Sequence, residues 1–100
     1  MEWVEFVKLQ APGAKEKEVT QELGTFSKSL GNPSGLVAVK MFYHASVHGD
    51  FAILLLWDTD QLLTQGSPVA LGLIEDLKKF GLVDYSAWVL NEGYRFLAGI

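Results

Sequence analysis

The stretch "FAILLLWDTD", Phe51 to Asp60, sets down seven apolar residues in a row and then turns acidic at Asp58. A strand with one wet face alternates apolar with polar residues, whereas an unbroken short run bounded by turn residues is a strand dry on both faces. Its content of branched and aromatic side chains, and a length too short for a helix, support the strand. The chain around it must therefore cover two faces.

Working outward, "GLVAVKMFYH" (35–44) reads as a strand, and "SVHGDF" (46–51) is the hairpin that joins it to Phe51. The opening "EWVEFVKLQ" (2–10) is a further strand, closed by Pro12-Gly13. From Lys15 the period changes. Val19, Leu23, Phe26 and Leu30 fall on one helical face, Lys15 to Glu18 begin the segment in water, and Gly31 with Pro33 ends it. Gly24 interrupts this helix at a cost of about 1 kcal/mol, read here as simple tolerance.

Beyond Asp60, "DTDQLLTQG" has room for one helical turn, with Asp58 and Asp60 as capping carboxylates. "SPVALGLIEDLKKFG" (67–81) is the second helix: Ser67 caps it, Pro68 opens it, Lys78 and Lys79 complement its carboxyl end, and Gly81 closes it. Ala70, Leu73, Ile74, Leu77 and Phe80 form its apolar stripe. "VDYSAWVL" (83–90) is the last strand, Asn91–Gly93 a turn, and Tyr94–Ile100 an apolar tail.

The resulting order, strand, helix, strand, strand, helix, strand, is that of an α+β, ferredoxin-like unit: a four-stranded antiparallel sheet with both helices on one face. One domain over residues 1–100 is expected, because 100 residues, 49% of them apolar, hold one core. A net charge of −4 with a single arginine argues against a nucleic-acid partner. Cysteine is absent, which excludes disulfides and thiolate chemistry. No apolar run approaches the roughly 18 residues of a membrane span, and no leader pattern opens the chain, so a cytoplasmic location is expected.

The faces can then be assigned. Val37, Val39, Met41 and Tyr43, with Val83, Tyr85, Ala87 and Val89, are the cleaner apolar rows and are expected under the helices. Placing Trp3, Glu5, Val7 and Leu9 on the opposite face yields a surface that shows Trp3, Phe42 and Trp88 among Glu5, Lys40 and Ser86. Three large aromatics exceed the few hundred Å² of apolar patch that a soluble monomer normally exposes. A second subunit is the expected cover.

The strand ending in Trp57-Asp58-Thr59, followed by a helix and a strand, resembles the dimeric α+β barrel superfamily, which includes antibiotic-biosynthesis monooxygenase-like and stress-responsive domains. The likeness in element order spans nearly the whole chain. It implies a homodimer of two four-stranded sheets packed face to face, with a small pocket between sheet and helices or inside the barrel. Haem-degrading members use an asparagine on the first strand, a tryptophan near the second helix and a histidine on it. "EWVEFVKLQ" has no such asparagine, and "SPVALGLIEDLKKF" has neither tryptophan nor histidine. That catalytic pattern does not transfer, Trp57 matches a position where the family keeps a packing residue, and no catalytic residue, metal or cofactor is assigned.

The pocket candidates are Glu5, Lys40, Phe42, His44, Trp57, Ser86 and Trp88. Glu5 and Lys40 form either an acid–base pair in a pocket or an ion pair at the dimer interface, the second being the plainer reading. His44 and His48 flank a hairpin, where solvent-exposed loop histidines are commoner than metal ligands. Phosphate loops, nucleophile elbows and paired-histidine zinc motifs are missing. The expectation is a dimeric small-molecule-binding or accessory domain, with a small apolar or aromatic ligand. The alternative is a cofactor-independent monooxygenase-like enzyme acting on a small aromatic compound in the pocket. A sheet-face RNA binder is disfavoured by the acidic charge.

Overall fold

Val19 and Leu23 are buried, with Phe26 half-buried beside them, so the stripe expected from residue 15 onward forms the inner face of α1 (Glu16–Ser29). A turn of 3-10 helix over Gly13–Lys15 leads into it, and Gly31, at φ 70°, supplies the left-handed residue that follows its end. The computed structural model describes residues 1–91; the rest of the expected turn and the tail 94–100, expected to help close a dimer, lie outside them. The other elements are β1 (Glu2–Gln10), β2 (Leu36–Tyr43), β3 (Asp50–Asp58), α2 (Pro68–Leu77) and β4 (Leu82–Val89). The segment after Asp60 forms turns rather than a helix.

Ser67 caps α2 as expected: its backbone is extended and its Oγ accepts from the Ala70 N–H at 3.1 Å, with Pro68 at the first helical position. Ala70, Leu73 and Leu77 are buried, and Ile74 and Phe80 pack at the margin. Gly81 acts otherwise than as a simple helix stop. A Cβ there would stand 2.0 Å from the Gln10 carbonyl oxygen, so only glycine lets the chain pass this close to β1.

The strands form one antiparallel sheet in the order β2-β3-β1-β4, the arrangement of the ferredoxin-like fold. β3 is thus a central strand. Phe51, Ile53, Leu55 and Trp57 lie buried towards the helices, and Ala52, Leu54 and Leu56 point to the other face. Burying Ile53 and Leu55, each 0% exposed, contributes about 1.5–3 kcal/mol per side chain.

Two face assignments need correction. Trp3, Glu5, Val7 and Leu9 line up across from Trp57, Leu55, Ile53 and Phe51, so the row expected on the open face lies under the helices. A carboxylate in that row argued for the wet side, but Glu5 is compensated inside, as described below. On β2 an irregularity between Leu36 and Ala38 turns Leu36 to the helix side in place of Val37, which is exposed; Val39, Met41 and Tyr43 keep the side expected for them, across from Leu55, Ile53 and Phe51, but of these Val39 packs on the core while Met41 and Tyr43 are exposed at the sheet edge. The expected row on β4 stands, with Val83 and Tyr85 packed on the core.

Candidate functional site

Glu5 is fully buried in a row otherwise made of Trp3, Val7 and Leu9, where a carboxylate without partners would be costly. Its partners come from three elements. Trp57 Nε1 on β3 donates to Oε1 at 2.7 Å, the Ser67 hydroxyl donates to Oε1 at 2.6 Å, and the Ser67 backbone N–H donates to Oε2 at 2.8 Å. From β4, the Tyr85 hydroxyl donates to Oε2 at 2.5 Å. A carboxylate with two donors on each oxygen is saturated, and no buried side-chain nitrogen or oxygen among the described residues lacks a partner.

The position of Ser67 makes this an arrangement at a helix terminus. Its Oγ accepts from Ala70 N and passes its own proton towards Glu5, so the carboxylate occupies the place where the N-terminal N–H groups of α2 favour negative charge. Burial raises the pKa of the Tyr85 hydroxyl above the ordinary phenol range, and the hydrogen bond and charge of Glu5 raise it further.

In front of this knot a cleft of about 330 Å³ opens between the first turn of α2, the loop after β3 and the start of β2. Trp3, Trp57, Leu63, Pro68 and Val69 supply apolar wall, Ser34, Thr59, Gln61 and Ser67 the polar points, and no charged residue among the described ones is part of its lining. Trp3 and Trp57, cross-strand neighbours, stack at 5.8 Å between ring centroids and 17° between planes. Trp3 Nε1 donates to Thr59 Oγ1 at 2.8 Å, and that hydroxyl donates to the Gln61 carbonyl at 2.7 Å, which fixes the loop at the mouth.

The expected site residues fall into separate places. Glu5 and Trp57 belong to the helix side, Trp57 in the cleft wall and Glu5 behind it. Lys40, Phe42, Ser86 and Trp88 belong to the open face of the sheet, so Glu5 and Lys40 do not meet as a pair; the expected proximity is corrected by the register. His44 ends the β2 side of the hairpin, where its Nδ1 accepts from the backbone N–H of Ser46 and Val47 at 3.1 and 3.0 Å. His48 Nδ1 contacts Glu16 Oε2 at 3.1 Å on the surface. No cluster of metal-ligating side chains occurs among the described residues.

Ser67 was legible as a cap, but its second bond to Glu5, and the roles of Tyr85 and Thr59, carry no local signal. Only the pairing of β1 with β3 and β4 brings them together. The open face has two concavities of its own: one of about 360 Å³ at the end bearing Lys8, Phe42, His44 and Asp84, and one of about 300 Å³ beside Val4, Leu56 and Trp88. Among the described residues no helix is long and apolar enough to cross a membrane.

No protein-family model and no curated protein matches the sequence. Solved structures do match. A conserved protein of Methanosarcina mazei Go1 superposes with a TM-score of 0.73 at 12% identity, over 91% of this chain and 94% of that one. A candidate antibiotic biosynthesis monooxygenase from Deinococcus radiodurans gives 0.70 at 18% identity, over 90% and 93%. SnoaB, a cofactor-independent oxygenase from Streptomyces nogalater, in a mutant form, gives 0.61 at 10% identity, over 91% and 94%. These likenesses establish the fold: it is the ferredoxin-like fold of antibiotic biosynthesis monooxygenase-like proteins, across most of the chain.

Proposed function

We propose that this chain is a single-domain, homodimeric small-molecule-binding protein of the cytoplasm, which takes a neutral apolar or aromatic ligand in the cleft before Trp57. The observation that carries this reading is the cleft itself: about 330 Å³, within the range of small-ligand sites, with aromatic and aliphatic walls and no charged lining residue among the described ones. The carboxylate of Glu5 already occupies the anion-favouring end of α2, so an acidic ligand would meet like charge there. The dimer in this proposal forms through the open sheet face, where Phe42 is 49% and Trp88 60% exposed.

Tryptophan emission tests the cleft, since Trp3 and Trp57 lie in its wall. Titration with 1-naphthol should change the emission saturably, and 1-naphthoate, its charged counterpart, should bind at least about tenfold more weakly. Equal response to both, or none to either, refutes the reading.

A second reading, a cofactor-independent oxygenase acting on a small aromatic compound, draws on the likeness to SnoaB. Such chemistry needs a group to take a proton from the substrate. Glu5, the carboxylate bonded to Trp57 and Ser67 of the cleft wall, spends both oxygens on four donors, which favours binding over turnover. Dioxygen uptake in the presence of an oxidisable hydroxyaromatic, abolished by boiling the protein, would reverse that preference.

A further inference from the structure

Along the cleft in front of Trp57, the side chains that can hydrogen-bond differ in what they have left to offer. At the inner end Trp57 Nε1 and the Ser67 hydroxyl both donate to Glu5, and Ser67 Oγ accepts from the Ala70 N–H. On the loop after β3, Thr59 Oγ1 accepts from Trp3 Nε1 and donates to the Gln61 carbonyl. Every donor among these side chains is spent. The amide of Gln61 and the hydroxyl of Ser34, which complete the polar side chains of the lining, make no hydrogen bond among the described residues. Burial follows the same division: Ser67 is 1% and Trp57 5% exposed, whereas Gln61 and Ser34 stand in the open. The cleft therefore has an apolar inner end whose donors are committed, and a mouth that carries an amide with its bonding capacity intact.

We propose that Gln61 is the specificity-determining residue of this cleft: its amide oxygen accepts the hydroxyl proton of a neutral aromatic alcohol whose ring lies inward against Trp57. The inference rests on the small-molecule reading above and specifies the ligand class and its orientation. A hydroxyl carried to the inner end would leave water and meet groups already bonded to one another, a cost that an apolar ring does not incur there. At the mouth the same hydroxyl finds an acceptor in the Gln61 amide, with the amide N–H groups and the Ser34 hydroxyl at hand to donate to its oxygen. An amide offers both roles without charge, in keeping with a lining that holds no ionised side chain among the described residues. The bond from Thr59 to the Gln61 carbonyl holds the backbone at this point, so less freedom is lost when the side chain engages a ligand.

Gln61→Leu keeps most of the bulk of the side chain and removes its hydrogen-bonding groups; Gln61 is exposed on a loop, so the fold should persist, and circular dichroism checks it. The probes are 1-naphthol and 1-methylnaphthalene, similar in shape with and without the hydroxyl, titrated by tryptophan emission. The ratio of their affinities separates the hydrogen bond from burial of the rings. Gln61→Leu should lower that ratio about fivefold through weaker binding of 1-naphthol, with 1-methylnaphthalene held as well as before or better. Gln61→Glu, which keeps an acceptor, should bind 1-naphthol no more weakly than the unaltered protein does. An unchanged ratio in the leucine variant, or an equal loss of both probes, would show Gln61 to be plain wall and overturn the inference, while the cleft stands as a binding site. A glutamate variant that loses 1-naphthol as the leucine variant does would overturn the assigned direction of the bond. If the unaltered protein binds neither probe, the cleft reading itself fails and this inference falls with it.

Discussion

Replacing Glu5 by glutamine changes one atom in a fully buried group, and the consequence can be worked from the hydrogen bonds. The amide oxygen, placed at Oε1, still accepts from Trp57 Nε1 and the Ser67 hydroxyl. The amide nitrogen, placed at Oε2, faces two donors. The Tyr85 hydroxyl can turn towards the Leu63 carbonyl, 3.4 Å away, but the Ser67 backbone N–H cannot turn. One orphaned buried donor costs about 1–3 kcal/mol, and the two surviving bonds lose their charge assistance, so a total of about 2–4 kcal/mol is expected. Glu5→Leu leaves the Trp57 and Ser67 N–H groups both unpaired and should cost more, about 2–6 kcal/mol. Urea unfolding followed by tryptophan emission, at one fixed protein concentration, measures both. A loss below about 0.5 kcal/mol for glutamine, or a gain, would show that desolvation of the carboxylate outweighs its four bonds and would refute the knot as a source of stability.

Three further outcomes are expected. Because the folded pKa of Tyr85 lies above its ordinary value of 10.0, the folded chain keeps the proton that the unfolded chain begins to release there. The stability from this group is therefore complete below about pH 10 and lost as pH rises above it; Tyr85→Phe should flatten that decline in melts between about pH 9 and 11.5, and an unchanged slope would contradict the raised pKa. A Cβ added at Gly24 in α1 would meet nothing within 4 Å among the described residues, so Gly24→Ala should raise stability by about 0.5–1 kcal/mol; a loss in urea unfolding would mean the glycine serves a contact. Leu23, buried on the inner face of α1, should cost about 2–5 kcal/mol when cut to alanine, and a change under about 0.5 kcal/mol would place that face outside the core.

Much of the fold was legible because it is written in periods. The step of three and four that places Val19 and Leu23 inside α1, the serine and proline that open α2, and the unbroken run of β3 are local patterns, and each element formed near its expected bounds. The faces of β1 were hard to read because both of its rows, Trp3-Glu5-Val7-Leu9 and Glu2-Val4-Phe6-Lys8-Gln10, mix charged residues with apolar ones. Choosing between them requires knowing which charge finds partners inside. The donors to Glu5 lie 52 to 80 residues away along the chain, beyond any window of sequence pattern. The irregularity at Leu36 was hidden for a related reason: a shifted pairing moves a side chain to the other face without changing the composition of the strand.

Glu5 and Lys40 lie on opposite faces of one sheet, and they divide its requirements between them. Glu5 is compensated by its own chain: three elements deliver four donors, so the helix side needs nothing from outside and can present Trp57 and Ser67 as a fixed wall to the cleft. Lys40 has no such compensation among the described residues, and on its side Leu54, Leu56, Val4 and Phe6 are only half-buried, with Trp88 more exposed still. Apolar surface of that kind favours being covered, yet a cover without an acid would strand the lysine. A partner that buries the leucines of β3 must therefore also bring a carboxylate to the edge of β2. With the second copy proposed above on that face, the apolar run from Phe51 to Trp57 would have helices on one side and a neighbouring sheet on the other.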